Sequence, residues 1–194
     1  MARTSGKARP DPRARRTREA LVSALVLLAH GRRYREIRID DILSASGVGR
    51  STFYEHFAGK DALLVAAMDD ALALLARAAL GEPVARPLAL LQAHLRQRGT
   101  AARELFRGSA LRALRASLLA RVETALAASG ARLRLPPRLL ACMLGDAVLS
   151  PLLAWLAGRG ACDARDLADA TVRATMQMRR ALTAASGDAH ASSP

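Results

Sequence analysis

Apolar side chains recur along this chain at helical spacing. Leu21, Ala24, Leu25 and Leu28 fall at i, i+3, i+4 and i+7, which predicts a helix from about Asp11–Arg13 to His30, stopped by Gly31. Two short helices follow, over about 39–45 and 50–57, joined by a turn at Ser46, Gly47 and Val48. Asp40 and Asp41 suit the positive end of the first, and Gly49 is a permissible N-cap for the second. Leu64, Ala67, Met68, Ala71, Leu72 and Leu75 predict one long helix from 60 to 80. Further helices are expected over about 86–98, 100–107, 109–129, 137–157 and 163–185, with Ser109 and Asp163 as caps, Pro136-Pro137 as an opening and a kink at Pro151. The expectation is an all-α fold of about nine helices, with no strand and no internal repeat.

Composition agrees with that pattern. Of the 194 residues 51% are hydrophobic but only 3% aromatic, and Ala, Leu and Arg, all strong helix formers, dominate. The net charge is +13; 28 of the 30 basic residues are arginines. Residues 1–60 carry 13 basic and 6 acidic side chains, a net of +7, against +6 over the remaining two thirds, so positive charge is densest in the N-terminal part. Cys142 and Cys162 form neither a metal spacing nor a disulfide framework and read as two buried thiols in a reducing cytoplasm. Arg15-Arg16 before an apolar run imitates a secretory signal, but Glu19 interrupts it and Gly31-Arg32-Arg33 stands where a cleavage site belongs. Residues 139–157 are long enough for a membrane span but contain Gly145, Asp146, Ser150 and Pro151, so a buried core or interface helix is expected.

Between Gly31 and Leu64 the apolar positions Ile39, Ile42, Ala45, Val48, Phe53 and Phe57 can close a three-helix core with the first helix. A helix, a glycine-containing turn and a second helix form a helix-turn-helix, whose second helix enters the major groove of DNA. With Phe53 and Phe57 inward, Arg50, Ser51, Tyr54 and Glu55 point outward.

The ordered run Ile42, Ala45, Gly47-Val48, Ser51-Thr52-Phe53-Tyr54, His56-Phe57, Lys60-Asp61 and Leu63-Leu64 resembles the TetR family of transcription regulators over residues 14–70. Residues 71–194 fit that family only in length and helix pattern. The resemblance implies that Tyr54, His56 and Lys60 approach phosphates, that Arg50 and Ser51 approach base edges or phosphates, and that Thr52 caps the helix or touches a phosphate. A lysine in the first turn of a helix opposes the helix dipole, and a phosphate bound there would reverse that penalty. Three positions depart from the family pattern. Gly49 replaces a usual serine cap, Gly59 precedes Lys60, and Arg38 stands where a threonine usually contacts phosphate; an arginine there still reaches DNA.

The resemblance further implies a regulator, expected to be a repressor, with double-stranded operator DNA, a small-molecule effector and a second copy of itself as partners. It divides the chain into a disordered basic arm (1–12), a helix-turn-helix domain (13–60), a helical effector-binding and dimerisation domain (61–187) and a flexible tail (188–194). The dimer would form through the last two long helices, where Ala168, Ala170 and Ala174 permit close approach. Trp155 either anchors that interface or lines the pocket. Asp146 reads as a ligand-recognising carboxylate or, the favoured reading because buried charges are normally paired, as an ion pair with an arginine across the dimer or between helices. His94, Phe106 and Met143 are further pocket candidates.

Enzymatic function has no support: there is no nucleophile elbow, phosphate loop or metal pair, and His30, His56, His94 and His190 are scattered. No cofactor, metal or membrane is expected, and the location is cytoplasmic, on the nucleoid when DNA is bound. A purely architectural DNA-binding protein is the other alternative; the large apolar C-terminal part argues against it.

Overall fold

A computed structural model describes residues 11–183. Residues 1–10 of the expected arm (1–12), the end of the last helix near 185, His190 and the tail from 188 lie outside them, while Asp11 and Pro12, the arm's last two residues, instead cap and open the first helix. The described residues form ten α-helices: α1 (Pro12–Gly31), α2 (Ile39–Ser46), α3 (Arg50–His56), α4 (Lys60–Ala67), α5 (Asp69–Ala79), α6 (Ala85–Gln97), α7 (Gly99–Leu105), α8 (Gly108–Ala128), α9 (Pro137–Leu156) and α10 (Ala164–Leu182). A short 3-10 turn, Tyr34–Glu36, precedes α2. Among the described residues there is no strand, only one isolated bridge between Leu133 and Thr183. The fold is all-α, as the apolar period predicts.

The tenth helix arises because the expected helix from 60 to 80 is two. Met68, at φ −100° and ψ 16°, leaves helical geometry between α4 and α5. The apolar period runs through this break, so the pattern alone does not reveal it. The helix expected to be capped by Ser109 starts instead at Gly108, after Arg107 as N-cap. Asp163 caps α10 as expected, accepting from the Asp166 N–H at 2.8 Å, and α9 continues through Pro151.

The chain divides into two compact units after Ala67. The division falls later than residue 60 because Leu63 and Leu64 of α4 are buried inside the first unit, where α4 packs on α1. That unit's core joins Leu21 and Leu25 of α1 to Ile42, Phe53 and Phe57, all at most 4% exposed. Tyr34 and Ile37 are buried as well, whereas Ala45 is exposed rather than part of the core.

In the second unit α8 packs on α9, α5 on α8 and α9, and α10 on α6 and α9. Leu114, Leu118, Leu140, Leu144 and Leu152 form the centre of this core. Helix α10 also seals the end of α5, whose last carbonyls have no partner within the helix. The buried hydroxyl of Thr175 donates to the Ala78 carbonyl at 2.6 Å, and the Arg179 guanidinium donates to that of Leu80 at 2.8 Å. The next residue, Gly81, has φ +69°, and a Cβ there would lie 2.5 Å from the Met176 backbone. Gly81→Ala therefore combines a left-handed alanine, which costs ~1–2 kcal/mol, with a backbone clash. A stability loss of about 2 kcal/mol in denaturant unfolding is expected, and an unchanged midpoint would contradict this packing.

Candidate DNA-binding surface

Helix α3 presents the side chains on which DNA recognition would depend. Phe53 and Phe57 are buried, which fixes the helix's rotation. Arg50, Ser51, Tyr54 and Glu55 are consequently exposed, with Thr52 and His56 half-buried. Gly47 makes the preceding turn sharp: at φ +68° it receives the chain from α2 and donates its N–H to the Leu43 carbonyl at 2.9 Å. Gly49 occupies the N-cap position of α3.

Arg38 is exposed at the N-cap of α2. Its backbone N–H donates to Asp41 Oδ2 at 2.7 Å, and the Arg32 guanidinium lies 3.2 Å from Oδ1. These two partners hold the Asp41 carboxyl below the usual carboxylate range, the backbone N–H contributing most. Arg50 is ion-paired to Asp40 of α2. Both side chains are largely exposed, and such a surface pair contributes only about 0–1 kcal/mol. The guanidinium is thus held at the start of α3 by a partner weak enough to give it up to a base or a phosphate.

Lys60 is placed differently from an outward phosphate ligand. Its ammonium donates to the carbonyls of Tyr34 at 2.9 Å and Ile37 at 2.6 Å, and sits 4.3 Å from the centre of the Tyr34 ring. The Tyr34 hydroxyl in turn donates to Asp61 Oδ1 at 2.6 Å. Burial pushes the lysine below its usual range, against the opposing pull of the Asp61 and Asp41 carboxylates. Burial first, then the hydrogen bond to Asp61, pushes the Tyr34 phenol well up. The four groups form a clasp that ties the start of α4 to the turn leading into α2. The fault of a lysine at a helix N-terminus is answered here by two backbone carbonyls.

Sequence reasoning missed Asp40, Tyr34 and Asp61 as parts of this surface and its support. It also missed Arg18 of α1, whose guanidinium lies 4.5 Å from the centre of the Phe57 ring and closes the core from outside. The signal available was an aromatic residue at 34 beside Ile37, outside any helical period.

The pocket candidates of the C-terminal unit do not converge. His94 is exposed on α6 and Met143 is exposed on α9. Asp146 is held by Arg115 of α8 in a two-pronged pair, Nε to Oδ1 at 2.8 Å and Nη2 to Oδ2 at 2.5 Å. Its interhelical pairing matches the favoured of its two readings. Trp155 is buried, its Nε1–H donates to the Cys162 carbonyl at 3.0 Å, and Arg96 lies over its ring. It therefore fastens the α9–α10 connection. Of the five only Phe106 lines the cleft between α7 and the end of α9. Small residues of α10 also separate, with Ala168 buried and Ala170 and Ala174 exposed.

Residues 20–67 match the family model described as bacterial regulatory proteins, tetR family. The chain is 47% identical over 55 residues to the uncharacterized HTH-type transcriptional regulator YxbF of Bacillus subtilis (strain 168); the match covers 28% of this chain and 14% of that protein. Among solved structures it is similar to a TetR transcriptional regulator from Streptococcus agalactiae 2603V, with a TM-score of 0.49, 22% identity and coverage of 84% of this chain and 95% of that one. It is also similar to the dihydroxyacetone kinase operon activator DhaS, with a TM-score of 0.45, 15% identity and coverage of 87% and 98%. The match over residues 20–67 spans α2, α3 and α4 and most of α1, so the N-terminal helical unit is similar to the domain that the tetR-family model describes.

Proposed function

We propose that the protein is a cytoplasmic transcription regulator, a repressor that binds an operator as a homodimer and leaves it when a small molecule occupies the C-terminal unit. The observation that carries this reading is the exposed row Arg50, Ser51 and Tyr54 on the second helix of a helix-turn-helix that matches the tetR family. A second copy would dock on α9 and α10. Leu139 and Met143, four positions apart on α9, are 54% and 43% exposed, and Ala170 and Ala174 lie outward on α10. Large apolar side chains left outward on one helix face are what a self-complementary interface covers. In this reading effector and operator oppose each other by a typical coupling of about 5- to 150-fold.

Two substitutions test the DNA half by titrating labelled operator over a range of salt. Tyr54→Phe, which removes a phosphate contact, should weaken binding to every sequence about equally. Arg50→Ala should relax base preference at one position in each half-site, with a discrimination loss of about 1–3 kcal/mol. Unchanged preference in Arg50→Ala would remove Arg50 from base reading.

A further inference from the structure

We propose that the cleft between α7 and the C-terminal end of α9 binds an organic anion, a carboxylate or phosphate head on an apolar body. This inference rests on the reading of the second unit as an effector domain and names the chemistry of its ligand. The cleft has a volume of about 350 Å³, enough for a small metabolite and toward the lower end of small-molecule sites. Phe106, Leu153 and Leu156 supply apolar wall, and Arg103, Arg107 and Arg159 stand around it, with no acidic side chain lining it among the described residues.

Three arginines elsewhere in this unit have carboxylate partners: Arg77 pairs with Glu82, Arg115 with Asp146 and Arg121 with Asp69. At the cleft Arg103 donates, among the described residues, to the Thr100 hydroxyl at 3.1 Å and meets no carboxylate there. The side chains of Arg107 and Arg159, both exposed, meet no carboxylate among the described residues. Three like charges around one apolar concavity repel one another, and an anion seated among them relieves the repulsion. Guanidinium forks also match the two oxygens of a carboxylate or phosphate better than an ammonium would. A cationic or uncharged ligand of the same shape gains neither effect.

The test uses the full chain and four probes with the same ten-carbon tail, below their micelle concentrations: decanoate, decyl phosphate, decanol and decylamine. Thermal shift and calorimetric titration should show binding of one or both anions, with the stronger of the two naming the head group, and at least about tenfold weaker binding of decanol and decylamine. Arg107→Gln and Arg159→Gln should each weaken the anion by about tenfold or more without changing decanol binding. Ala157→Trp, at an exposed helix end beside the cleft, should obstruct all four probes. Equal binding of decylamine, unchanged anion binding in both arginine variants, or no response to either anion would overturn the proposal. Arginine-dependent anion binding that leaves operator affinity unchanged would support this site and refute the effector reading instead. An uncharged or cationic compound that binds independently of these arginines and releases operator would do the reverse.

Discussion

Lys60→Met is expected to destabilise the DNA-binding unit by about 2–3 kcal/mol while leaving the salt dependence of DNA binding unchanged. The ammonium is the donor to two backbone carbonyls, Tyr34 and Ile37, that lead into α2. Hydrogen bonds from a charged donor contribute ~1.5–3 kcal/mol, and carbonyls left without a donor inside the unit add a desolvation penalty. The loss is reduced because the lysine itself is partly desolvated. Lys60→Arg should recover little, since a bulkier planar guanidinium does not fit the space that the compact ammonium fills between the two carbonyls and the Tyr34 ring. Thermal unfolding measures the first effect. The slope of log affinity against log salt measures the second, because each lost phosphate contact lowers it by about one unit. A stable Lys60→Met variant with a slope lower by one unit would return Lys60 to the phosphate-contacting role that the family resemblance implies.

The double substitution Leu139→Glu with Met143→Glu should convert a dimer to monomers and weaken operator binding by at least about 100-fold. Both side chains are already exposed on α9, so the charges do not disturb the unit's own core. Placed in a two-fold interface, each carboxylate meets apolar partners or its own copy, and four charges repel. A monomer reads one half-site only and loses the high effective concentration of the second module, an advantage of about 10²–10⁴. Sedimentation equilibrium and operator titration check the two halves of this statement, with circular dichroism confirming that the helices persist. A variant that remains dimeric would move the interface away from α9.

Local pattern made the DNA-binding unit legible in the sequence. Ile42, Phe53 and Phe57 are spaced for burial within a few turns of one another, and Gly47 marks the one sharp turn between their helices. The Lys60 clasp was not legible, because its acceptors are backbone carbonyls 23 and 26 positions away, and any residue type supplies a carbonyl. Asp146 posed a related problem. An acidic residue within an apolar helix has to find a partner, yet 28 arginines were available, and only the packing of α8 on α9 selects Arg115. The break at Met68 is hidden because Leu64, Ala67, Ala71 and Leu72 keep an apolar period on both sides of it. The cleft is a product of tertiary packing: α7 supplies Arg103, the segment after it supplies Phe106 and Arg107, and the end of α9 with the turn beyond it supplies the rest, some fifty residues later in the chain. Phe106 is a pocket candidate from the sequence and lines this cleft, but its arginine neighbours do not stand out among so many others.

The central claim, that this protein reads a specific two-fold DNA site, is tested most directly by selecting bound duplexes from a random pool with the full chain and sequencing them. The account predicts an inverted repeat whose half-sites are centred about one helical turn, roughly 10 base pairs, or a multiple of that apart, with identical preferences in each half. Recovered duplexes without a shared sequence, or with a shared sequence that lacks dyad symmetry, would contradict it.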